Sequence, residues 1–172
     1  MLRILIYTLS LSLLPSSFAL GATAPRGIIE LDRQAATEFT ISDMDGNEYS
    51  LQQSRGKWVF LHFWASWCGP CRKEMPAIQQ LKLLMEDEPL DIVLVNTAET
   101  EDTLFSFLSE VAPQLHSYMD REGELTEVYA PRGLPTTFLI DPQGRRRYLV
   151  LGGQPWTKDP YLAFLKQLIH KK

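Results

Sequence analysis

The chain has 172 residues, 17 basic against 21 acidic, and 45% apolar side chains, the size and balance of one globular domain. A formal charge of −4 argues against an electrostatic grip on nucleic acid or on an anionic membrane surface, and two cysteines cannot supply the scaffold of a small disulfide-knotted protein. No stretch is compositionally degenerate or repeats at a fixed period, which leaves out disordered and solenoid architectures.

Residues 1–24 carry one charge, Arg3, followed by an apolar run from Ile4 to Leu14, then Pro15 and small residues. This is the layout of a secretory signal peptide. Small residues place the cut after Ala19 or after Gly21, and Pro25 disfavours one after Ala24. The rival is an uncleaved anchor, because no charge falls between Arg3 and Arg26 and that span is long enough to cross a bilayer. Four serines, two threonines and Pro15 weaken it. Residues 1–21 therefore read as a leader, 22–36 as a tether and 37–172 as the folded domain. On either reading that domain lies outside the cytoplasm.

In FTISDMDGNEYSL, from Phe39, Asp45 and Gly46 stand between two β-compatible runs and predict a hairpin with a tight turn. The run WVFLHFWA after Lys57 is continuous, apolar and aromatic, as a strand buried on both faces requires. From Cys71 onward Met75, Ile78, Leu81, Leu84 and Met85 follow helical spacing and predict an amphipathic helix ending before Pro89, kinked at Pro76. LDIVLVN, Leu90 to Asn96, reads as a second buried strand. Thr100 followed by Glu101 and Asp102 predicts a capped helix to about Ala112. Leu125, Val128 and Tyr129 predict a short helix stopped by Pro131. TTFLID, a turn over 141–144 and RRRYLVLGG predict a hairpin, and 158–170 a terminal amphipathic helix. Together these elements predict an α/β fold with a mixed sheet. The basic run Arg145 to Arg147 reads as a solvated strand end, and the methionines are not clustered as a copper-binding tract.

The chemistry lies in WCGPC, where Cys68 and Cys71 fall between the buried strand and the helix it feeds. Two cysteines so spaced on a first helical turn can close a disulfide, and the helix start favours a thiolate through its partial positive charge and free N–H groups. Cys68 is the expected nucleophile. Gly69 adds no bulk beside it, and Pro70 stiffens the turn without losing a hydrogen bond. A structural zinc site would need four ligands, and His62, His116 and His170 offer no second paired spacing. Covalent haem attachment would need a histidine where Arg72 stands. A permanent structural disulfide closing so small a loop would add little stability.

VFLHFWASWCGPCRKEMP, then VNTAE and GLPTTFLID, resembles the TlpA-like branch of the thioredoxin superfamily across nearly all of 37–172. The resemblance implies a thioredoxin-like fold: a central mixed β-sheet flanked by helices, with an N-terminal β-hairpin extension. It implies that Pro135 is the cis proline facing the disulfide, with the backbone at Leu134 offering hydrogen bonds to a substrate peptide, and that Trp67 forms part of the lip around the sulfur. A client would then meet Trp67, Gly69, Pro70, Leu134 and Pro135. Glu99 matches an acid that lies near the cysteine pair and influences its protonation; as a helix-start acid beside Thr100 it would need no such role. His62 departs from the pattern, standing where thioredoxins carry a buried aspartate and most TlpA-like proteins a neutral residue. A lone histidine in an apolar strand reads as a packed core residue with one hydrogen bond in preference to a proton relay.

The expected activity is that of an exported thiol:disulfide oxidoreductase working through Cys68 and Cys71, with no cofactor beyond that redox pair and no metal. The resemblance implies extracytoplasmic clients with disulfides, such as apocytochrome c or oxidase copper-site proteins, and a membrane thiol reductant as electron donor. A monomer that binds no nucleic acid is expected. The alternatives are a general disulfide oxidant or isomerase, and a Cu(I) or haem chaperone using both sulfurs as ligands.

Overall fold

The computed structural model describes residues 24–171; the expected leader, and with it the choice between cleavage and anchoring, lies outside the described residues. No described helix is long and apolar enough to cross a membrane. In chain order the strands are β1 (Ile28–Glu30), β2 (Thr40–Ser42), β3 (Glu48–Ser50), β4 (Trp58–Trp64), β5 (Leu90–Thr97), β6 (Tyr118–Asp120), β7 (Thr136–Ile140) and β8 (Arg146–Leu151). The helices are α1 (Gly69–Leu84), α2 (Glu101–Val111), α3 (Glu124–Tyr129) and α4 (Tyr161–His170).

All of β4 is buried, which is why its sequence is apolar without alternation. It lies between β5, parallel, and β7, antiparallel, in a six-stranded sheet ordered β1-β8-β7-β4-β5-β6. Successive side chains of a strand point to opposite faces, so β4 feeds two cores. Trp58, Phe60 and Trp64 pack with Met75, Ile78 and Leu81 of α1, Leu104 and Phe107 of α2, and Phe164 and Leu165 of α4. Val59, Leu61 and Phe63 pack on the other face with the β2–β3 hairpin and with Leu125 and Tyr129 of α3. The hairpin is a separate two-stranded unit joined to the sheet edge through an Asp43–Tyr118 bridge. Its connection is longer than a two-residue turn. Asp43 Oδ1 accepts the N–H groups of Asp45 (2.9 Å) and Asn47 (2.8 Å), and Gly46, at φ +82°, supplies the left-handed step.

Three further expectations need correction. Part of the expected tether is sheet: Ile28–Glu30 pairs antiparallel with β8, Ala35 bridges Arg145, and Ile28 and Ala36 are buried. The gain is the apolar face of Ile28 against Val150 and the backbone bonds that cover the β8 edge. Leu84 and Val128 were expected on packed helical faces but are 44% and 54% exposed; the stripes narrow to Met75, Ile78 and Leu81, and to Leu125 and Tyr129. The Arg145–Arg147 run is anchored as well as solvated: Arg145 Nε donates to Asp141 Oδ2 at 2.9 Å, and Asp141 is buried.

Candidate active site

The strand-to-helix junction after β4 carries the cysteines. Cys68 is the N-cap of α1, and in the disulfide with Cys71 its Sγ accepts the Cys71 N–H at 3.2 Å. Cys68 keeps 5% of its surface exposed and Cys71 none, so of the two cysteines only Cys68 presents any surface to the outside. Gly69 and Pro70 occupy the first two positions of α1, where proline forfeits no hydrogen bond, and both are exposed. Trp67 stands beside them, 69% exposed.

The loop before Cys68 is clamped from β5 and its C-terminal end. Glu99 accepts the Ser66 N–H at 2.7 Å, the Ser66 hydroxyl, and Asn96 Nδ2 at 2.6 Å. These partners are loop and strand groups, not a sulfur; the carboxylate orients the segment that carries Trp67 and Cys68. Arg72 adds a second tie, donating to the Ser66 carbonyl at 3.3 Å while its guanidinium lies 4.9 Å from the centre of the Phe107 ring. The Leu134–Pro135 peptide bond is cis. Pro135 falls one residue before the last β4–β7 pair, Phe63 with Thr136, which places it beside the end of β4 from which the cysteine loop leaves. Its carbonyl is taken by Gly152 N–H at 2.9 Å.

α1 carries a buried acid that sequence reasoning missed. Glu74 is one turn along α1 from Cys71 and 5% exposed. Its Oε1 accepts the Gln154 N–H at 3.0 Å and the Trp156 indole N–H. The approach of the segment after β8 is close: a Cβ on Gly153 would stand 3.4 Å from Glu74 Oε2 and 3.5 Å from the Pro70 carbonyl oxygen. Burial pushes the Glu74 carboxyl up to about 7, against the opposing effect of its two hydrogen bonds. A group poised there can hold or release a proton at neutral pH. The signal was present in the spacing, since Glu74 is three residues after Cys71 and four before Ile78, on the same helical face. His62 is fully buried, with Nδ1 2.8 Å from Thr137 Oγ1, and desolvation lowers its proton affinity to about 3. It is a packed residue with one hydrogen bond, as expected. Among the described residues no group of three or more His, Cys, Asp or Glu is placed to hold a metal ion.

A cysteine pair at a helix start, beside a cis proline on a mixed sheet, defines a dithiol exchange site on a thioredoxin-like fold. The AhpC/TSA family model matches residues 33–149. The chain is 33% identical over 137 residues to the thiol-disulfide oxidoreductase ResA of Geobacillus thermodenitrificans, covering 80% of this chain and 72% of that one. With ResA of Bacillus cereus it shares 31% identity over 91% of this chain and 92% of the relative. A structure from Chlorobium tepidum, described as a thiol:disulfide interchange protein DsbE, superposes with a TM-score of 0.72 at 31% identity, over 81% of this chain and 99% of that one. The chain belongs to the AhpC/TSA family and is a thiol:disulfide oxidoreductase of the TlpA/ResA type.

Proposed function

We propose that this chain is exported and reduces disulfides in extracytoplasmic client proteins, for instance during maturation of c-type cytochromes or respiratory oxidases, and is itself reduced by a membrane thiol donor. The observation that carries the dithiol mechanism is the asymmetry of the pair: a helix-capping Cys68 with an outward face, over a Cys71 sealed from solvent. The leader-like residues 1–21 support export, and the relatives' names support the redox class.

In the reduced enzyme the Cys68 thiolate, held by the N–H groups at the start of α1, attacks one sulfur of the client disulfide. A mixed disulfide forms and the first client thiolate leaves. Cys71 then gives its proton to the Glu74 carboxylate and attacks Cys68 Sγ, expelling the second client thiolate. Two electrons have passed to the client, and the enzyme carries the Cys68–Cys71 bond. Trp67, Gly69, Pro70, Leu134 and Pro135 form the surface the client meets, with the Leu134 backbone available to an extended peptide. Glu99 keeps the loop in register.

Replacing Cys71 with Ala should trap clients on Cys68 as mixed disulfides that a reductant releases, and Cys68→Ala should trap none. Equilibration with glutathione tests direction: a strongly oxidising pair would overturn the reductive reading in favour of an oxidant or isomerase. Tight stoichiometric Cu(I) binding without turnover of any protein disulfide would replace it with a chaperone.

A further inference from the structure

His62 and Glu74 each keep one buried polar atom without a hydrogen-bond partner, His62 Nε2 and Glu74 Oε2, and these two atoms face each other at 3.8 Å. The gap is too long for a hydrogen bond. Two orphaned polar atoms in one dry place are each unfavourable, and a small rotation of the Glu74 carboxyl would satisfy both.

The identity of the donor follows from Thr137. Its hydroxyl is buried on β7, and its hydrogen-bond partner is His62 Nδ1 at 2.8 Å. A buried hydroxyl proton needs an acceptor, and Nδ1 provides one only when the imidazole proton sits on the other nitrogen. The Nε2–H tautomer leaves no donor idle: Thr137 O–H points to Nδ1, and Nε2–H points to Glu74 Oε2. The opposite tautomer would strand the hydroxyl proton and set a bare nitrogen lone pair against a carboxylate.

We propose that His62 is a positioning residue for Glu74: fixed as the Nε2–H tautomer by the Thr137 hydroxyl, it donates to Glu74 Oε2 whenever that carboxyl is ionised. The imidazole stays neutral throughout, because its burial opposes a charge. The proton count closes without it. Cys71 gives one proton to Glu74 when it attacks, Glu74 takes it, and His62 keeps the single proton it had. The ionised carboxylate that must accept from Cys71 is held by three donors, Gln154 N–H, Trp156 Nε1–H and His62 Nε2–H, where without His62 it has two. Packed against the pair are Phe60 and Thr137 from the neighbouring strand positions, and Gly153, Gln154 and Trp156 from the segment after β8; none of these side chains titrates between pH 5 and 9. The catalytic consequence rests on the dithiol mechanism proposed above; the tautomer and the proton affinity do not.

The test is nitrogen NMR on the whole chain labelled with ¹⁵N-histidine, with the Glu74 carboxyl followed by ¹³C over pH 5–9. His116 and His170 are exposed and separate from His62 by their exchange with solvent. The expected result is a neutral His62 with the proton on Nε2 at pH 8; a proton on Nδ1 overturns the proposal. His62→Leu removes the third donor and should raise the proton affinity of Glu74 by about tenfold or more, the scale of one hydrogen bond to a buried carboxylate. His62→Gln, which can still donate, should recover part of that change. If His62→Leu does not fold, Thr137→Val serves in its place, since it frees the tautomer and should raise the same affinity. An unchanged or lowered affinity in the folded variants overturns the proposal. The pH profile of exchange with a small disulfide should move to higher pH in His62→Leu and stay in place when Glu74→Gln is already present; equal movement in both backgrounds also overturns it. Failure of the wild type to exchange any disulfide would sink the proposed function while leaving the tautomer result to stand.

Discussion

Glu74 and His62 are both buried, and burial governs their charges in opposite senses. Glu74 is raised from 4.5 to about 7, so the folded chain keeps a proton that the unfolded chain releases. Stability from this carboxyl is therefore intact below pH 4.5, falls as pH rises through the interval up to about 7, and is lost above it. At 1.36 kcal/mol per pH unit the loss is roughly 3 kcal/mol. Glu74→Gln should gain on the wild type by about that amount between pH 4.5 and 8 in urea titrations; a constant difference would refute the buried-acid account. His62 is lowered from 6.5 to about 3, so the unfolded chain takes up a proton that the folded one refuses. Stability from this group is present above 6.5 and falls as pH drops towards 3. A charged ion pair would have moved both groups the other way; burial is the leading cause of both shifts.

Legibility in the sequence divides by element length. β4, β5 and α1 were plain because each is long enough to show its pattern: unbroken apolar runs in the strands and three- and four-residue spacing in the helix. β1 and β6 were not: three residues cannot display a period, and where the equally short β2 and β3 were marked by the Asp45-Gly46 turn between them, β1 and β6 exist through distant partners, β8 and β5. Glu74 was passed over for a different reason, although it lies in a legible helix. Within CRKE it reads as one of a run of solvated charges, and only the folding of the segment 152–156 over α1 buries it. Cys68 and Cys71 were legible from their spacing at a strand-to-helix junction, whereas Pro135, one of eleven prolines, was legible only through the resemblance to the TlpA-like branch. α3 illustrates the intermediate case. Its position was clear, but its start depends on Asp120, whose carboxylate accepts Leu125 N–H (3.1 Å), Thr126 N–H (2.7 Å) and the Thr126 hydroxyl (2.6 Å). Gly123, the residue at the helix start, offers no side chain for this. Asp120→Ala should cost about 1–3 kcal/mol, measured by chemical denaturation; a loss below about 0.5 kcal/mol would mean that α3 holds without its cap.

Across the whole molecule, one sheet separates two cores, and the site lies where β4 and β7 end together beside the start of α1. The far edge of that sheet is closed by β1, whose Ile28 is buried against β8 while Ile29 faces outward. Ile28→Ala should lower stability by about 2 kcal/mol and the melting temperature by roughly 4–8 °C, read by circular dichroism. An unchanged melting curve would show that the strand is a passenger.

Of the four tryptophans, Trp64 and Trp156 are fully sealed, Trp58 is 7% exposed and Trp67 is 69% exposed. A water-borne quencher such as iodide can therefore dim one indole and scarcely reach the others. That indole adjoins the reactive sulfur, so the chain carries its own optical gauge of occupancy: anything docking there should flatten the quenching slope, with no dye attached. A slope indifferent to a covalently trapped client would mean that the ring stands clear of the bound polypeptide.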